Sequence, residues 1–334
     1  MTDRPDLEAL YRQMVEMRAF EEALASLWRR GLISGELHLG IGEEGIVAGV
    51  LAHLREGDAL SLDYRPTPAL SARGVSRGAI TLEMIGHADG LSGGRGGHMH
   101  LLSPDHLAVS TGIVGSPAPL ACGFALAAGR LRPGSVAVAF FGDGAVNQGM
   151  VMEAWNLAVA WSLPVVFVCK DNRWAATTDT ERLTGGTIAD RARSFGLAVR
   201  KVDGTDVTTV WTAARTLVSG ARSGKPALLV ATCRRPTGHM LDDSLSRATR
   251  SPRRLVQLTK ESLGSDPSLP AMGRMFGVVQ TIGRALGESW LPHRDPVRRA
   301  ARRLGPSGRG IEQTARARVA GEVQAALRRA GVEP

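Results

Sequence analysis

The sequence predicts an α/β fold in which a parallel sheet is covered by helices on both faces. From residue 117 onward, apolar runs of five to seven residues alternate with longer amphipathic stretches, so that the order strand, helix, strand repeats. These runs are apolar at every position, which is typical of strands buried on both faces. Because parallel strands are joined by right-handed crossovers, their carboxyl ends meet at one edge of the sheet.

Two helices and a glycine-rich loop are predicted before the regular alternation starts. Apolar side chains recur every three or four positions in residues 6–30, and Gly31 ends the pattern. A second helix is expected over residues 42–53. Residues 86–97 hold six glycines, which neither a helix nor a strand tolerates. We therefore expect a loop there whose backbone closely approaches another group.

The alternating region and the C-terminal region predict two domains. Residues 251–292 are rich in Pro, Gly and Ser and predict a looser connection, whereas residues 295–330 predict a pair of Arg-rich helices. The chain is therefore divided into a domain over 1–250 and a basic helical extension over 251–334. The predicted strands are 136–141, 165–169, 197–202 and 227–233, and the helices are 117–129, 149–161 and 206–221.

The net charge of +9 does not indicate a nucleic-acid-binding protein. Residues 250–334 hold 16 basic and seven acidic side chains, so this region carries the whole excess and residues 1–249 are neutral. A basic footprint that extends along the chain is absent, and we expect no nucleic-acid partner.

Apolar and cysteine content indicate an ordinary globular protein of the cytoplasm. Apolar residues make up 43% of the 334 residues, yet no run approaches the roughly 20 apolar residues of a membrane-spanning helix. The first residues lack the apolar segment of a secretory signal. The three cysteines are far apart, which excludes a disulfide scaffold or zinc ribbon and favours a reducing compartment.

Polar side chains follow three of the predicted strands where each strand ends. Asp143 stands between two glycines after one strand, Asn172 follows the next, and Arg235 and His239 follow the last. Asp143 and Asn172 should lie at the ends of neighbouring strands, roughly 5 Å apart. A carboxylate and an amide oxygen suit Mg²⁺. The flanking glycines allow the backbone to approach a diphosphate.

Several motifs in order along residues 7–245 resemble one enzyme family. The chain is similar to the α subunit of the decarboxylating component of 2-oxo acid dehydrogenases, which bind thiamine diphosphate. The fold implied is the thiamine-diphosphate-binding fold. The motifs are Gly42-Glu43-Glu44, Tyr64-Arg65, Gly96-Gly97-His98-Met99-His100, Gly112-Ile113-Val114-Gly115, Gly142-Asp143-Gly144-Ala145-Val146-Asn147-Gln148-Gly149, Leu163-Pro164, Asp171-Asn172-Arg173-Trp174 and Gly238-His239.

The resemblance implies a role for each matching residue. Asp143, Asn172 and the main-chain carbonyl of Trp174 would bind Mg²⁺. The predicted cofactor-binding residues, which include two of these metal ligands, are Tyr64, Arg65, Gly112, Val114, Asp143, Gly144, Ala145, Asn172 and Arg235. His239 on an active-site loop and His100 are the predicted catalytic residues.

The resemblance also implies a reaction and partners. The reaction is decarboxylation of a 2-oxo acid, through an enamine, with transfer of the acyl group to a lipoyl carrier. The split members of the family place a required glutamate on a β subunit, so an α₂β₂ heterotetramer and a lipoyl acyltransferase are the expected partners. Alternatives are an acetoin-cleaving or acyloin-forming enzyme subunit and a catalytically silent α-like subunit.

One departure from the family affects the expected substrate. Many members carry a histidine two positions after Arg65, where this chain has Thr67 between two prolines. The prolines should stiffen a loop there, and an acid/base group is lost. Together with Asp242-Asp243-Ser244, which resembles branched-chain members, this favours aliphatic or branched 2-oxo acids over pyruvate.

Overall fold

The computed structural model describes residues 4–176, 178–241 and 294–333. Elements are numbered here in chain order over those residues. The helices are α1 Leu7–Arg29, α2 Glu44–Leu51, α3 Thr67–Arg73, α4 Arg77–Met84, α5 Pro117–Leu131, α6 Gly149–Ala160, α7 Thr180–Leu183, α8 Ile188–Ser194, α9 Val207–Arg222, α10 Pro296–Leu304 and α11 Pro306–Arg329. The strands are β1 Ala59–Leu62, β2 Leu102–Ser103, β3 Ala108–Ser110, β4 Ala137–Gly142, β5 Val165–Asp171, β6 Trp174–Ala175, β7 Thr178–Asp179, β8 Ala198–Asp203 and β9 Ala227–Thr232.

Seven of the described strands form one sheet in the order β2-β3-β1-β4-β5-β9-β8. All neighbours in it are parallel except β2 and β3, which form an antiparallel edge. In the centre, Gly142 at the end of β4 is in register with Lys170 of β5, and Asp171 is in register with Thr232 of β9. The carboxyl ends of β4, β5 and β9 therefore lie side by side. This confirms the predicted α/β class and the predicted neighbouring strands.

Helices cover both faces of the sheet because successive strand residues point to opposite sides. Val138, Phe140 and Val168 belong to a core shared with α1, α2, α9 and the C-terminal helices. Phe141 and Phe167 belong to a second core with α5, α6 and α8. Both sides of the central strands are thus fully buried, as their uninterrupted apolar sequence predicts.

The two C-terminal helices pack back onto the start of the chain. Helix α11 lies against α1 and α4, with buried Val319 and Val323 at a four-residue spacing. Arg18 of α1 forms ion pairs with Asp295, the N-cap of α10, at 3.0 Å and with Glu44 of α2 at 2.5 Å. The predicted boundary at residue 250 and the predicted connection over 251–292 lie outside the described residues, so the division into two domains stays a prediction.

The regions around Thr67 and before β4 differ from the sequence-based expectation. Thr67 begins helix α3, with Pro66 as the N-cap and Pro68 in the first turn, where proline is tolerated because its missing N–H is not needed. Strands β1 to β3 were not predicted. The described helices include none with the length and apolar character needed to cross a membrane.

Candidate active site

A cavity of about 510 Å³ opens at the carboxyl ends of β1, β4, β5 and β9. Its wall contains eleven of the twelve residues predicted as site residues, from loops that are far apart in sequence. They are Tyr64, Arg65, Gly112, Val114, Asp143, Gly144, Ala145, Asn172, Trp174, Arg235 and His239. The twelfth, His100, is exposed and does not line the cavity, although its Nε2 would be 3.3 Å from a Cβ placed on Gly112. A catalytic role for His100 stays a prediction.

The Asn172 side-chain amide lies between two groups of opposite hydrogen-bonding character. One of its terminal atoms is 3.0 Å from Asp143 Oδ1 and 3.1 Å from the Trp174 carbonyl oxygen. The other is 2.6 Å from Nη2 and 3.0 Å from Nε of Arg235. With its nitrogen toward Asp143, the amide donates to both oxygens and accepts from Arg235.

With its oxygen toward Asp143, the same amide would complete a set of three oxygens, and its nitrogen would then face the donors of Arg235, which would have to turn toward another acceptor such as a bound anion. Adjacent oxygens on an octahedral Mg²⁺ with bonds near 2.1 Å lie about 3 Å apart, which is the spacing found here. In the described part of the chain, no three His, Cys, Asp or Glu side chains come together to hold a metal. One carboxylate with two neutral oxygens is a donor set that fits a hard cation.

The environment of Asp143 also fits a cation. Burial raises the pKa of this carboxyl to about 7, although the Thr180 hydroxyl donates a hydrogen bond to Oδ2 and Arg235 lies nearby. A buried carboxylate with so little compensation is costly. A divalent cation beside it would offset that cost and favour the charged form.

Arg65 presents a guanidinium group that is fully buried at the cavity wall. Its Nη1 donates to the Leu39 carbonyl at 2.7 Å and its Nη2 donates to the His239 carbonyl at 2.5 Å. Its Nε has no hydrogen-bond partner. A buried cation with an unsatisfied donor, close to Arg235, suits an anionic ligand such as a diphosphate.

Two glycines on the wall approach neighbouring residues too closely to carry a side chain without displacing them. A Cβ on Gly144 would lie 2.7 Å from the Ala175 side chain, and one on Gly112 would lie 3.2 Å from Met99 Sδ. Glycine at both positions therefore allows the backbone to pack closely against these neighbours. The backbone N–H groups that follow Asp143 are in a short 3₁₀ segment, Asp143–Asn147, directly before α6.

Aromatic rings form a second part of the wall. His38 makes edge contacts with Tyr64 and His239, with ring centres 4.9 and 5.0 Å apart. His239 is carried by the loop after β9, whose Leu241 N–H donates to the Leu37 carbonyl at 2.7 Å. These contacts bring a predicted catalytic histidine and a predicted cofactor-binding tyrosine together around His38.

Three charged residues of the wall were missed by the sequence interpretation. Lys170 of β5 is buried and donates to Glu43 at 2.7 Å and to Asp63 at 3.1 Å. The carboxylates raise the pKa of Lys170 despite its burial, so the lysine stays charged. The sequence feature that could have identified these three residues is a lysine at the end of an otherwise apolar strand, because a buried charge needs buried partners.

Thr67 does not reach the cavity. Its hydroxyl donates to Glu21, a fully buried carboxyl that also accepts from the Gly40 N–H at 2.6 Å. Thr67 therefore supports the packing of α1 against α3.

Comparisons with known proteins agree with this geometry. Residues 12–263 match the family model described as dehydrogenase E1 component. The pyruvate dehydrogenase E1 component subunit alpha of Zymomonas mobilis is 39% identical over 72% of this chain and 69% of its own length. The subunit alpha of acetoin:2,6-dichlorophenolindophenol oxidoreductase of Bacillus subtilis is 38% identical over 73% of this chain and 74% of its own length.

A third relative, the pyruvate dehydrogenase E1 component subunit alpha of Rhizobium meliloti, is 40% identical over 71% of this chain and 69% of its own length. The family match contains every residue that lines the cavity. The chain therefore belongs to the dehydrogenase E1 component family, as the α-type subunit of a thiamine-diphosphate-dependent dehydrogenase.

Proposed function

We propose that this chain, with a β subunit in an α₂β₂ heterotetramer, decarboxylates an aliphatic or branched 2-oxo acid and passes the acyl group to a lipoyl carrier on an acyltransferase. The single observation that carries the proposal is the convergence of the Asp143 carboxylate, the Trp174 carbonyl oxygen and the Asn172 amide, which with the amide oxygen turned to the other two suits the Mg²⁺ of a diphosphate cofactor. The three free thiols, all buried, support a cytoplasmic location.

The cavity residues divide into two groups by the part of the cofactor they would bind. Asp143, Asn172 and the Trp174 carbonyl would hold Mg²⁺. Arg65 and Arg235 would neutralise the diphosphate with help from Tyr64, and the N–H groups of Gly144 and Ala145 would donate to it. Gly112 and Val114 would present main-chain groups to the aminopyrimidine ring.

When bound, the cofactor supplies the carbanion chemistry that makes loss of CO₂ from a 2-oxo acid feasible. The residues of this chain bind and orient the reactants. His239 lines the cavity and would donate a proton or orient the substrate or lipoyl group. Val114 and Leu183 line the cavity with exposed apolar side chains, and a partner packed over them would limit the access of water.

The partner has a suitable surface on helix α5. Leu120, Leu126 and Leu131 are exposed on its outer side, and Trp161 is exposed at the end of the neighbouring α6. An apolar surface of this kind is typical of a protein interface. We place the β subunit there.

A second candidate function is acetoin cleavage with the same cofactor. It is supported by the acetoin oxidoreductase α subunit of Bacillus subtilis, whose identity to this chain is within one percentage point of that of the Zymomonas mobilis pyruvate dehydrogenase subunit. A silent α-like subunit is disfavoured, because such a subunit would have no use for the oxygen set or for two arginines at the cavity.

Replacing Asp143 tests the cofactor assignment. Asp143→Ala removes one of the three oxygens, and we expect Mg²⁺-dependent binding of thiamine diphosphate to weaken by at least about 100-fold, since loss of an outer-shell group alone costs 10–100-fold. Isothermal titration calorimetry of the assembled enzyme, with and without Mg²⁺, measures the affinity.

Asp190→Ala, which removes an exposed carboxylate on α8, is the matched control. The melting temperature of Asp143→Ala should equal or exceed that of the wild type, because a costly buried carboxylate is lost. Unchanged cofactor affinity in this variant would reject the metal site and the proposed function with it.

A further inference from the structure

A short segment that follows Trp174 is tied to the turn that carries Asp143. This segment, residues 178–184, contains strand β7 and helix α7, and the turn is the 3₁₀ segment Asp143–Asn147. The Thr180 hydroxyl donates to Oδ2 of Asp143, and Nδ2 of Asn147 donates to the Thr184 hydroxyl at 3.0 Å. Each end of the turn therefore has a hydrogen bond to the segment.

The position of Thr180 is itself fixed by its neighbours. Its N–H donates to the Arg173 carbonyl at 3.1 Å, and Asp179 caps α7 by accepting from the Glu181 N–H at 3.0 Å. Thr180 is buried and does not line the cavity. Its hydroxyl therefore reaches Asp143 from outside the cavity wall.

The two carboxylate oxygens of Asp143 face different partners. Oδ1 is 3.0 Å from the side-chain amide of Asn172, which lines the cavity. Oδ2 accepts from Thr180, which lies outside the wall. One oxygen is thus presented to the candidate cation position, while a hydroxyl donor holds the other.

This hydroxyl donor restricts how the carboxylate can coordinate a cation. A carboxylate binds a cation through one oxygen or through both, and the second mode requires both oxygens to face the cation. For Asp143, that rotation would draw Oδ2 away from Thr180 and leave a buried hydroxyl without its acceptor. Because an unsatisfied buried donor is costly, coordination through Oδ1 alone is favoured.

We propose that Thr180 is a positioning residue for the metal site, which limits Asp143 to one coordinating oxygen and thereby selects Mg²⁺ over Ca²⁺ as the cation of the cofactor. This inference rests on the proposed function. It adds to that function a residue outside the cavity wall and the selectivity that this residue confers.

The two cations differ in the number of oxygens they require. Mg²⁺ prefers an octahedron of oxygens at about 2.0–2.1 Å and is served by one oxygen of a carboxylate. Ca²⁺ takes roughly six to eight oxygens at about 2.3–2.6 Å and often uses both oxygens of a carboxylate. A carboxylate held by Thr180 therefore satisfies Mg²⁺ but withholds a ligand from Ca²⁺.

A purely structural role for Thr180 makes a different prediction. If the hydroxyl only supported the turn, its loss would weaken cofactor binding by the same factor with either cation. The ratio of the thiamine diphosphate affinity measured with Mg²⁺ to that measured with Ca²⁺ therefore distinguishes the two roles.

The test uses the assembled enzyme, freed of metal by a chelator and titrated with thiamine diphosphate in excess Mg²⁺ or excess Ca²⁺. Thr180→Val removes the hydroxyl and keeps a similar shape, whereas Thr180→Ser keeps the hydroxyl. We expect Thr180→Val to lower the affinity ratio by at least about tenfold, since groups that orient a ligand of a metal typically contribute 10–100-fold to its affinity. Thr180→Ser should stay within about threefold of the wild-type ratio.

Thr184→Val is the matched control. It removes the hydrogen bond from Asn147 to the same segment and leaves the contact to Asp143 in place. Its affinities with the two cations should change together, so that the ratio stays that of the wild type. Thr180→Ala, which also removes the hydroxyl, provides the same test if Thr180→Val does not fold.

An unchanged ratio in folded Thr180→Val or Thr180→Ala, with intact cofactor binding in the wild type, would reject the role of Thr180 alone. Failure of the wild type to bind thiamine diphosphate with either cation would reject the proposed function and this inference with it.

A crystal structure of the assembled enzyme with thiamine diphosphate and Ca²⁺ gives a second readout. Asp143 should coordinate through one oxygen in the wild type and through two in Thr180→Val. Coordination through both oxygens in the wild type would contradict the proposal.

Discussion

Several charged side chains are buried in the fold, and each forms ion pairs with two partners of opposite charge. Lys170 bridges Glu43 and Asp63, and Arg18 bridges Glu44 and Asp295. Removing one member of such a group leaves an uncompensated buried charge, which costs more than the group contributes to stability. Glu21 differs from the others, because its partners are a hydroxyl and an N–H rather than a cation.

The Glu21 carboxyl makes the stability of the fold depend on pH. Burial raises its pKa from 4.5 to about 7. The folded chain therefore holds a proton that the unfolded chain has lost, and the resulting stability is fully present below about pH 4.5 and disappears as the pH rises through 7. In Glu21→Gln this dependence is absent. The free energy of unfolding of the variant should rise relative to wild type by roughly 2–3 kcal/mol between pH 5 and 8.

Urea unfolding of both proteins at several pH values measures this difference. The slope with pH is the test, because a glutamine changes the hydrogen bonds to Thr67 and Gly40 at every pH. Glu8→Gln, on the exposed side of the same helix, is the control and should show no slope. A constant difference between Glu21→Gln and wild type would mean that Glu21 is ionised in the folded chain throughout.

The residues that the sequence could identify as neighbours are those at strand ends. Asp143 and Asn172 follow adjacent strands, so the crossover rule alone brings them together. Lys170 is more than 100 positions away in sequence from both of its partners, Glu43 and Asp63. No local pattern predicts such a contact. The orientation of the Asn172 amide also depends on Arg235, which only the folded structure places beside it.

Elements with strong periodicity could be predicted, whereas short ones could not. Helices α1, α6 and α9 and strands β4, β5 and β9 lie within a few residues of their predicted bounds. Strands β2 and β3 have two and three residues, and their apolar pattern is too short to distinguish from a loop. They form because β1 offers hydrogen-bond partners to β3, and β1 lies about 45 positions earlier in the sequence.

The contribution of helix α11 to the stability of the fold can be measured. Leu327 is 2% exposed at the end of its buried stripe. Leu327→Ala should lower the free energy of unfolding by about 2–5 kcal/mol, since the cavity it leaves cannot be filled. Chemical denaturation of the purified chain measures the loss.

Gln324→Ala lies on the exposed side of the same helix and should change stability by less than about 0.5 kcal/mol. Equal stability of Leu327→Ala and wild type would show that α11 is not required for the cooperative fold, in agreement with a separate C-terminal extension.

The molecule as a whole uses part of its basic C-terminal charge internally. Arg299 contacts Asp203 and Asp206 at 2.6 and 2.8 Å, and Arg77 contacts Glu322 at 2.7 Å. Arg316 likewise contacts Glu22 at 2.7 Å, so the excess that the composition shows in residues 250–334 is partly matched by acids elsewhere in the fold, whereas the Arg77 pair uses an acid of the C-terminal region. By contrast, Leu120, Leu126 and Leu131 of α5 stay exposed within the described ranges 4–176, 178–241 and 294–333.

Assembly should therefore depend on α5. Leu126→Glu adds a charge to its exposed face, and we expect it to prevent formation of the proposed α₂β₂ heterotetramer, because a buried unpaired charge is costly. The melting temperature of the chain alone should stay within about 2 °C of wild type, since exposed substitutions have small effects. Native mass spectrometry of the co-expressed subunits measures assembly.

Gln324→Glu on α11 is the control for added charge. A stable heterotetramer with Leu126→Glu would place the partner on another surface.

Gly42 limits how the cavity of this enzyme can change during evolution. It has a φ of +99°, and a Cβ there would lie 1.8 Å from the carbonyl oxygen of Arg234, the residue before Arg235. Two backbone segments almost 200 positions apart are thus in direct contact at this glycine. Because any side chain would push the loop that carries Arg235 and His239 out of place, new substrate preferences are accessible through side chains such as Met99, while the backbone of this loop stays constrained.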